Sequence, residues 1–181
     1  MKRSRVLAGF AAVAAAVLGF VSVPSAASAD VLSTHPVVSG TSSVAYNCVE
    51  DPYPGGQTSF DVTFSAPSKV RVGVKFTLKA TVAASVTIPI DVPANGVSGS
   101  VQAVLGGAGS GVVSAAGLTN ATVVPAGQLL TLTGGAATVF PASRGVLTFT
   151  PGVLETTNWL GQHLVCTPYL PPATALSIVV K

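Results

Sequence analysis

Three observations predict an all-β fold, a β-sandwich of about ten short strands. Residues 69–82 alternate apolar and polar side chains, which is the two-residue period of a half-buried strand. Further alternating segments follow one another, separated by turns rich in Gly and Pro. After the apolar N-terminus, no stretch has apolar residues at sustained helical spacing, so the pattern favours strands throughout.

The alternating segment at 69–82 defines two faces. The side chains predicted to face the core are Val70, Val72, Val74, Phe76, Leu78 and Val82. The side chains predicted to face solvent are Lys69, Arg71, Lys75 and Lys79. Gly73 interrupts the run, so the sequence predicts a short strand, a bend at Gly73 and a longer strand.

The other elements follow in chain order. Predicted strands cover residues 43–50, 58–65, 86–92, 97–105, 118–124, 129–133, 137–140, 145–150, 162–167 and 175–180. Turns are predicted at 51–56 and 93–96, where Pro, Asn and Gly cluster. Residues 106–117 are rich in Gly, Ala and Ser and are expected to form a loop with a bulged strand inside it.

The N-terminus has the features of an export signal. Lys2, Arg3 and Arg5 precede an apolar run, and Ala27-Ser28-Ala29 is a small-residue cleavage site. The prediction is a signal peptide at 1–29, a flexible leader at 30–42 and one domain at 43–181. The expected location is secreted, either extracellular or loosely associated with the cell wall.

Without the signal peptide, the chain is close to neutral. Six basic residues, Lys69, Arg71, Lys75, Lys79, Arg144 and Lys181, balance six acidic ones, Asp30, Glu50, Asp51, Asp61, Asp91 and Glu155. A nearly neutral chain lacks the global basic field that attracts nucleic acid, so no nucleic-acid partner is predicted. Asp61 is expected to share a solvent face with the lysines, where it could pair with one of them across strands.

The cysteine pair predicts a disulfide between Cys48 and Cys166, because an even pair in an exported chain is typically oxidised. The bridge would tie the first strand to a late one and contribute roughly 4–5 kcal/mol in the chain-entropy model. His163 and Cys166 have a metal-like spacing, but side chains three apart on a strand face opposite sides. No metal and no cofactor are therefore predicted.

A resemblance to a known family rests on three short motifs. The segment from Pro67 to Leu78 resembles the opening strands of bacterial immunoglobulin-like domains, where a proline-led strand ends in Val-Gly. Together with Tyr46-Asn47-Cys48 and the late Cys166, it is similar to a family of secreted actinobacterial proteins of uncharacterised function. The resemblance implies an immunoglobulin-like β-sandwich and brings no catalytic residues.

Catalytic patterns are weak in this sequence. The Gly-Ser clusters at 96–100 and 107–111 do not fit a nucleophile elbow, and Glu155 has no recognisable acid partner for glycoside hydrolysis. His35 and His163 are interpreted as bystanders. The chain is therefore predicted not to be an enzyme, and a carbohydrate-active enzyme or its accessory domain stays as the alternative.

Two candidate binding surfaces remain. Lys69, Arg71, Lys75 and Lys79 form a basic row suited to an anionic cell-wall polymer, an acidic glycan or lipid headgroups. Trp159 and Tyr169, with Tyr53, could form a surface on which sugars stack. The predicted function is a non-catalytic binding or structural module at the bacterial cell surface. A surface assembly protein is a further alternative, because residues 101–105 and 112–118 are charge-free, β-prone and suited to edge pairing.

Overall fold

Antiparallel pairing organises the part of the chain that the structure describes. The computed structural model describes residues 35–50 and 53–181, and the predicted signal peptide lies outside them. The strands are β1 (Val37–Glu50), β2 (Tyr53–Pro67), β3 (Lys69–Val70), β4 (Phe76–Thr87), β5 (Val97–Gly107), β6 (Val112–Thr119), β7 (Leu129–Val139), β8 (Gly145–Asn158), β9 (His163–Pro168) and β10 (Leu176–Val180). These strands confirm the predicted all-β class.

All ten strands hydrogen-bond into a single sheet in the order β3-β10-β8-β5-β6-β7-β4-β2-β1-β9. In addition, β9 pairs with β8. The eight strands β8-β5-β6-β7-β4-β2-β1-β9 therefore form a closed ring. The first part of β8 pairs instead with β10, and β10 pairs in parallel with β3. The immunoglobulin-like arrangement of the strands stays a prediction.

The interior of this ring is filled by alternate side chains from the strands. Tyr46, Phe64, Leu78, Leu118 and Phe149 are among the largest fully buried side chains. The rings of Phe64 and Phe149 lie 6.5 Å apart between centroids, although β2 and β8 are not neighbours in the sheet. Phe76 meets Phe149 edge-on at 6.3 Å. Such contacts add to the free energy of burying apolar surface.

Tyr46 links opposite strands through its phenol. The side chain is completely buried, and its hydroxyl donates a hydrogen bond to the carbonyl oxygen of Gly152 at 3.0 Å. Pro151 and Gly152 are both buried, where a register shift interrupts the pairing of β8 with β5. A buried phenol needs a partner, and this irregularity supplies the acceptor. Burial also raises the pKa of the Tyr46 phenol above its ordinary value.

The predicted disulfide is present. Cys48 on β1 and Cys166 on β9 are direct partners in the antiparallel register, and their sulfur atoms are bonded. Their separation of 118 residues means that the bond closes nearly the whole domain. Tyr46 and Cys48 are both buried, as their shared strand face predicts.

The predicted inward positions at 69–82 are only partly correct. Val70, Leu78 and Val82 are buried and Phe76 is half-buried. Val72 and Val74 are exposed, so that part of the prediction is wrong. The reason is a turn: Val74 N donates to Arg71 O at 3.2 Å, and Gly73 has φ 75°. A turn ends the alternation of side chains that a continuous strand would keep.

Several element boundaries also differ from the prediction. The flexible leader predicted to end at Ser42 overlaps β1, which begins at Val37. The turn predicted at 51–56 ends earlier, since β2 begins at Tyr53. Gly55 fits in this strand because a Cβ there would collide with the carbonyl oxygen of Cys48. The two strands predicted at 129–133 and 137–140 form the single strand β7.

The segments proposed for edge pairing lie inside the sheet. Residues 101–105 belong to β5, which pairs with β6 on one side and β8 on the other. Residues 112–118 belong to β6, which pairs with β5 and, at two positions, with β7. Residues 101–105 therefore have partner strands on both sides, whereas residues 112–115 pair with β5 alone, and the surface assembly alternative stays a prediction.

Candidate functional site

The predicted basic row is present as two separate pairs. Lys69 lies on β3 and Arg71 at the start of the turn, whereas Lys75 and Lys79 lie after it. All four side chains are exposed. The turn at Gly73 therefore divides the row between two strands that are far apart in the order of the sheet.

Two more cations join them from distant parts of the chain. Val72 N donates to the carbonyl oxygen of Lys181 at 3.0 Å, which places the last residue beside the turn. Arg144 precedes Gly145, the partner of Val180 in the register of β8 and β10. Sequence reasoning missed Arg144 and Lys181, because each stands alone in the sequence and only the pairing of β10 brings both near the turn.

One end of the sheet consequently carries all six Lys and Arg residues that follow residue 29. Here β4 and β8 begin, and β2, β3, β7 and β10 end. We call this the basic end, defined by Lys69, Arg71, Lys75, Lys79, Arg144 and Lys181. Exposed apolar residues at the same end include Val72, Val74, Phe140 and Val146.

The opposite end carries acidic residues. Glu50 ends β1, Glu155 lies near the end of β8, and Asp91 lies in the connection between β4 and β5. We call this the acidic end, defined by these three residues. At about 3.3 Å per residue, Glu155 is roughly 35 Å along β8 from Arg144. That distance exceeds the screening length of about 8 Å in physiological salt, so the two ends present separate fields.

Asp61 lies between the two ends. Its predicted lysine partner is wrong: the carboxylate accepts a hydrogen bond from the Ser43 hydroxyl on the neighbouring strand. Lys79, the nearest lysine on β4, pairs in register with Ser65 and not with Asp61. The lysines of the basic end are therefore not neutralised by this carboxylate.

A shallow cleft of about 240 Å³ lies at the basic end, between the β5–β6 and β7–β8 connections. Its lining combines apolar side chains, including Leu105, Val139 and Phe140, with backbone and the side chains of Ser110 and Ser143. The Ser143 hydroxyl donates to the carbonyl oxygen of Ala108 at 2.8 Å and joins the two connections. No charged side chain lines this cleft, so it offers apolar contact and neutral polar groups.

The predicted aromatic pair is not brought together. Trp159 lies in the β8–β9 hairpin loop and Tyr169 follows the far end of β9. Since β9 spans His163 to Pro168, the two residues are separated by at least roughly 17 Å of strand. Both side chains are exposed, but they cannot stack on the same sugar ring.

The hairpin loop presents Trp159 beside Leu160 at the acidic end. The Asn158 side chain accepts from Leu160 N and Gln162 N, both at 3.0 Å, and donates to Gln162 Oε1 at 2.6 Å. Gly161, with φ 81° in the left-handed region, completes the turn. Trp159 is 40% exposed and Leu160 66% exposed, so an ordered loop holds apolar groups in solvent.

A second asparagine orders the neighbouring loops. Asn120 is almost fully buried; its side chain accepts from Val97 N at 2.8 Å and donates to Pro93 O at 2.7 Å and Thr122 O at 3.0 Å. The side chain thereby ties the connection before β5 to the connection after β6. With Asn158, it makes the acidic end a preorganised surface.

A small polar cleft of about 140 Å³ includes Ser98, Ser100, Glu155 and His163. The residue types would suit hydrolysis, which requires a hydroxyl hydrogen-bonded to a base. No hydrogen bond joins these four side chains, and Ser100 and Glu155 are simply neighbours on β5 and β8. Residues 35–50 and 53–181 also contain no cluster of three potential metal-ligating side chains.

The search for similar proteins gives no match: no family model, curated protein or solved structure is significantly similar to this chain. The resemblance to a secreted actinobacterial family therefore stays a prediction. Among the described residues, no helix has the length and apolarity needed to span a membrane.

Proposed function

We propose that this chain is an exported, non-catalytic binding module whose basic end docks on an anionic polymer of the bacterial cell surface. One observation carries the proposal: all six Lys and Arg residues after residue 29 gather at one end of the sheet. An immunoglobulin-like sandwich is part of the same proposal, supported by the contact between Phe64 and Phe149 across the core.

The composition of the basic end fits a long, flexible anion better than a small ligand. Its cations extend from separate strands and turns, and the cleft beside them has no charged lining. Because the cations are spread out, a ligand that interacts with several of them must carry several negative groups. A polymer with repeated phosphates or carboxylates supplies such groups.

The test is binding to purified bacterial cell wall at low and physiological ionic strength. Arg71→Gln with Lys75→Gln changes two exposed side chains in or beside the turn, so the fold should persist. At about 1 kcal/mol for each cation near an anionic surface, affinity should fall by about 2 kcal/mol, roughly thirty-fold. Added salt should weaken wall binding by the wild type more than wall binding by the variant.

The matched control removes two charges from the other end, Glu50→Gln with Glu155→Gln. This variant should bind the wall as well as the wild type or better. Vesicles containing an anionic lipid form a second arm. Stronger retention on the vesicles would identify a membrane surface, and not the wall polymer, as the ligand of the basic end. Equal retention of the wild type and the Arg71/Lys75 variant on cell wall would overturn the proposal.

A further inference from the structure

The acidic end and the basic end have complementary charge. Glu50, Asp91 and Glu155 lie at one end, and the six cations lie at the other. The described acids and bases are thus segregated along the strand direction, apart from Asp61 near the middle. A protein with opposite charges at its two ends attracts a second copy most strongly when unlike ends meet.

Both ends also expose apolar side chains, which an interface could bury. The acidic end presents Leu160, Trp159, Ile90, Val123 and Leu129, each at least 40% exposed. The basic end presents Val72, Val74, Phe140 and Val146, each at least 38% exposed. Apolar groups surrounded by charged ones are typical of protein interaction surfaces.

The geometry of the acidic end reduces the entropy lost on binding. The Asn158 and Asn120 side chains hold its loops through six hydrogen bonds in all, counting three for each side chain. A loop that is ordered before contact loses less conformational freedom on association. Trp159, in such a loop, is the kind of aromatic residue that contributes most to interfaces.

We propose that copies of this chain associate head to tail, with the acidic end and its Trp159 loop on the basic end of the next copy. Contact between two like ends would bring charges of the same sign together. At the β3 end of the sheet order, sideways pairing has little backbone available, because that strand is two residues long. Head-to-tail contact is heterologous, so it builds open chains unless the rotation closes a ring.

Two charge-reversed variants test this arrangement by sedimentation velocity over a range of protein concentrations at low ionic strength. The first variant reverses four exposed cations of the basic end, so that four carboxylates outnumber the remaining Arg144 and Lys181: Lys69→Glu, Arg71→Glu, Lys75→Glu and Lys79→Glu. The second is Glu50→Lys with Glu155→Lys at the acidic end, where two lysines outnumber the remaining Asp91. The wild type should sediment faster as its concentration rises, and each variant alone should sediment as a monomer. Circular dichroism verifies that each variant keeps the wild-type fold.

The decisive sample is the equimolar mixture of the two variants. Each variant has like-charged ends, but the acidic ends of the first complement the basic ends of the second, so the mixture should recover concentration-dependent sedimentation. A wild type that stays monomeric, single variants that still associate, or a mixture that does not would each overturn the proposal. Wall binding by the acidic-end variant is measured separately, because it should survive when self-association is lost.

A third variant, Trp159→Ala with Leu160→Ala, tests the apolar contribution. Trp159 is 40% exposed and Leu160 66% exposed, so the fold should persist, whereas the concentration needed for association should rise at least tenfold. Unchanged association would show that the hairpin loop lies outside the interface and would overturn its assigned role.

Discussion

The closed sheet is joined differently where β9 pairs with its two neighbours and where β6 pairs with β7. We call these places the β9 seam and the β6–β7 seam. At the β9 seam, β9 pairs with both β1 and β8, and the Cys48–Cys166 disulfide crosses it. At the β6–β7 seam, only Ala116 with Ala136 and Thr119 with Thr133 are paired in register. Gly117 and Gly134 face each other there, both in the left-handed region. A ring can thus be covalently secured on one side and loosely paired on the other.

Opening of the ring should begin at the β6–β7 seam. Local opening follows regions with few backbone hydrogen bonds, so β6 and β7 should separate before β1 and β9. The β9 seam joins the two ends of the domain, whereas the β6–β7 seam joins neighbours in the chain. Covalent closure is therefore located where the entropic cost of bringing the strands together is largest.

The largest effect is expected from removing the disulfide. Cys48→Ala with Cys166→Ala should lower the free energy of unfolding by roughly 4–5 kcal/mol, because the cross-link restricts a long loop in the unfolded chain. Denaturant unfolding of the oxidised wild type and the variant measures this difference. A loss below about 1 kcal/mol would mean that hydrogen bonds and packing hold the β9 seam without the bond.

A smaller effect is expected at the β6–β7 seam. Gly134 has φ 87°, and a Cβ there would lie 3.0 Å from the carbonyl oxygen of Gly117. Gly134→Ala should cost about 2 kcal/mol, from the left-handed backbone and the close contact together. Gly127 is the matched control, since it has φ 82° and open space around it.

Gly127→Ala should cost about 1 kcal/mol from backbone strain alone. Denaturant unfolding of the two variants separates strain from contact. Equal losses would show that the two strands yield to the added methyl group, which would make the β6–β7 seam even looser than its pairing indicates.

The smallest effect concerns the phenol that supports the β9 seam. Tyr46→Phe removes the hydrogen bond to Gly152 O and should cost about 1 kcal/mol at neutral pH. Because burial raises the folded-state pKa of Tyr46 above the unfolded value of about 10, this tyrosine's contribution is complete below pH 10 and is lost as the pH rises above it. Denaturant unfolding measured above pH 10 should show that the free energy of unfolding falls less with rising pH in the variant than in the wild type.

The fold was predictable where strand alternation was long and local. Leu78 and Val82 are buried as their positions predict, and the paired cysteines identified the contact between β1 and β9. Val72 and Val74 could not be placed by alternation, because a turn at Gly73 keeps the apolar spacing while changing the direction of the chain. The closed order of the strands depends on long-range register, which side-chain alternation does not encode.

The candidate site was predictable only in part. Four of the six cations, Lys69, Arg71, Lys75 and Lys79, are close together in the sequence, so their spacing was enough to identify them. Arg144 and Lys181 join them through the pairing of β10 with β8 and β3, a contact between distant segments. The aromatic pair was misjudged for a related reason: Trp159 and Tyr169 are close in sequence, but an extended strand holds them apart.

The distance in sequence between β1 and β9 also affects how the protein is made. At a synthesis rate of about 5–20 residues per second, the 118 residues that separate Cys48 from Cys166 take roughly 6–24 s to appear. During that time β1 can pair with β2, but its other edge lacks the strand that will cover it. Folding is therefore completed late, and residues 46–50 of β1 keep an open edge until β9 has been made.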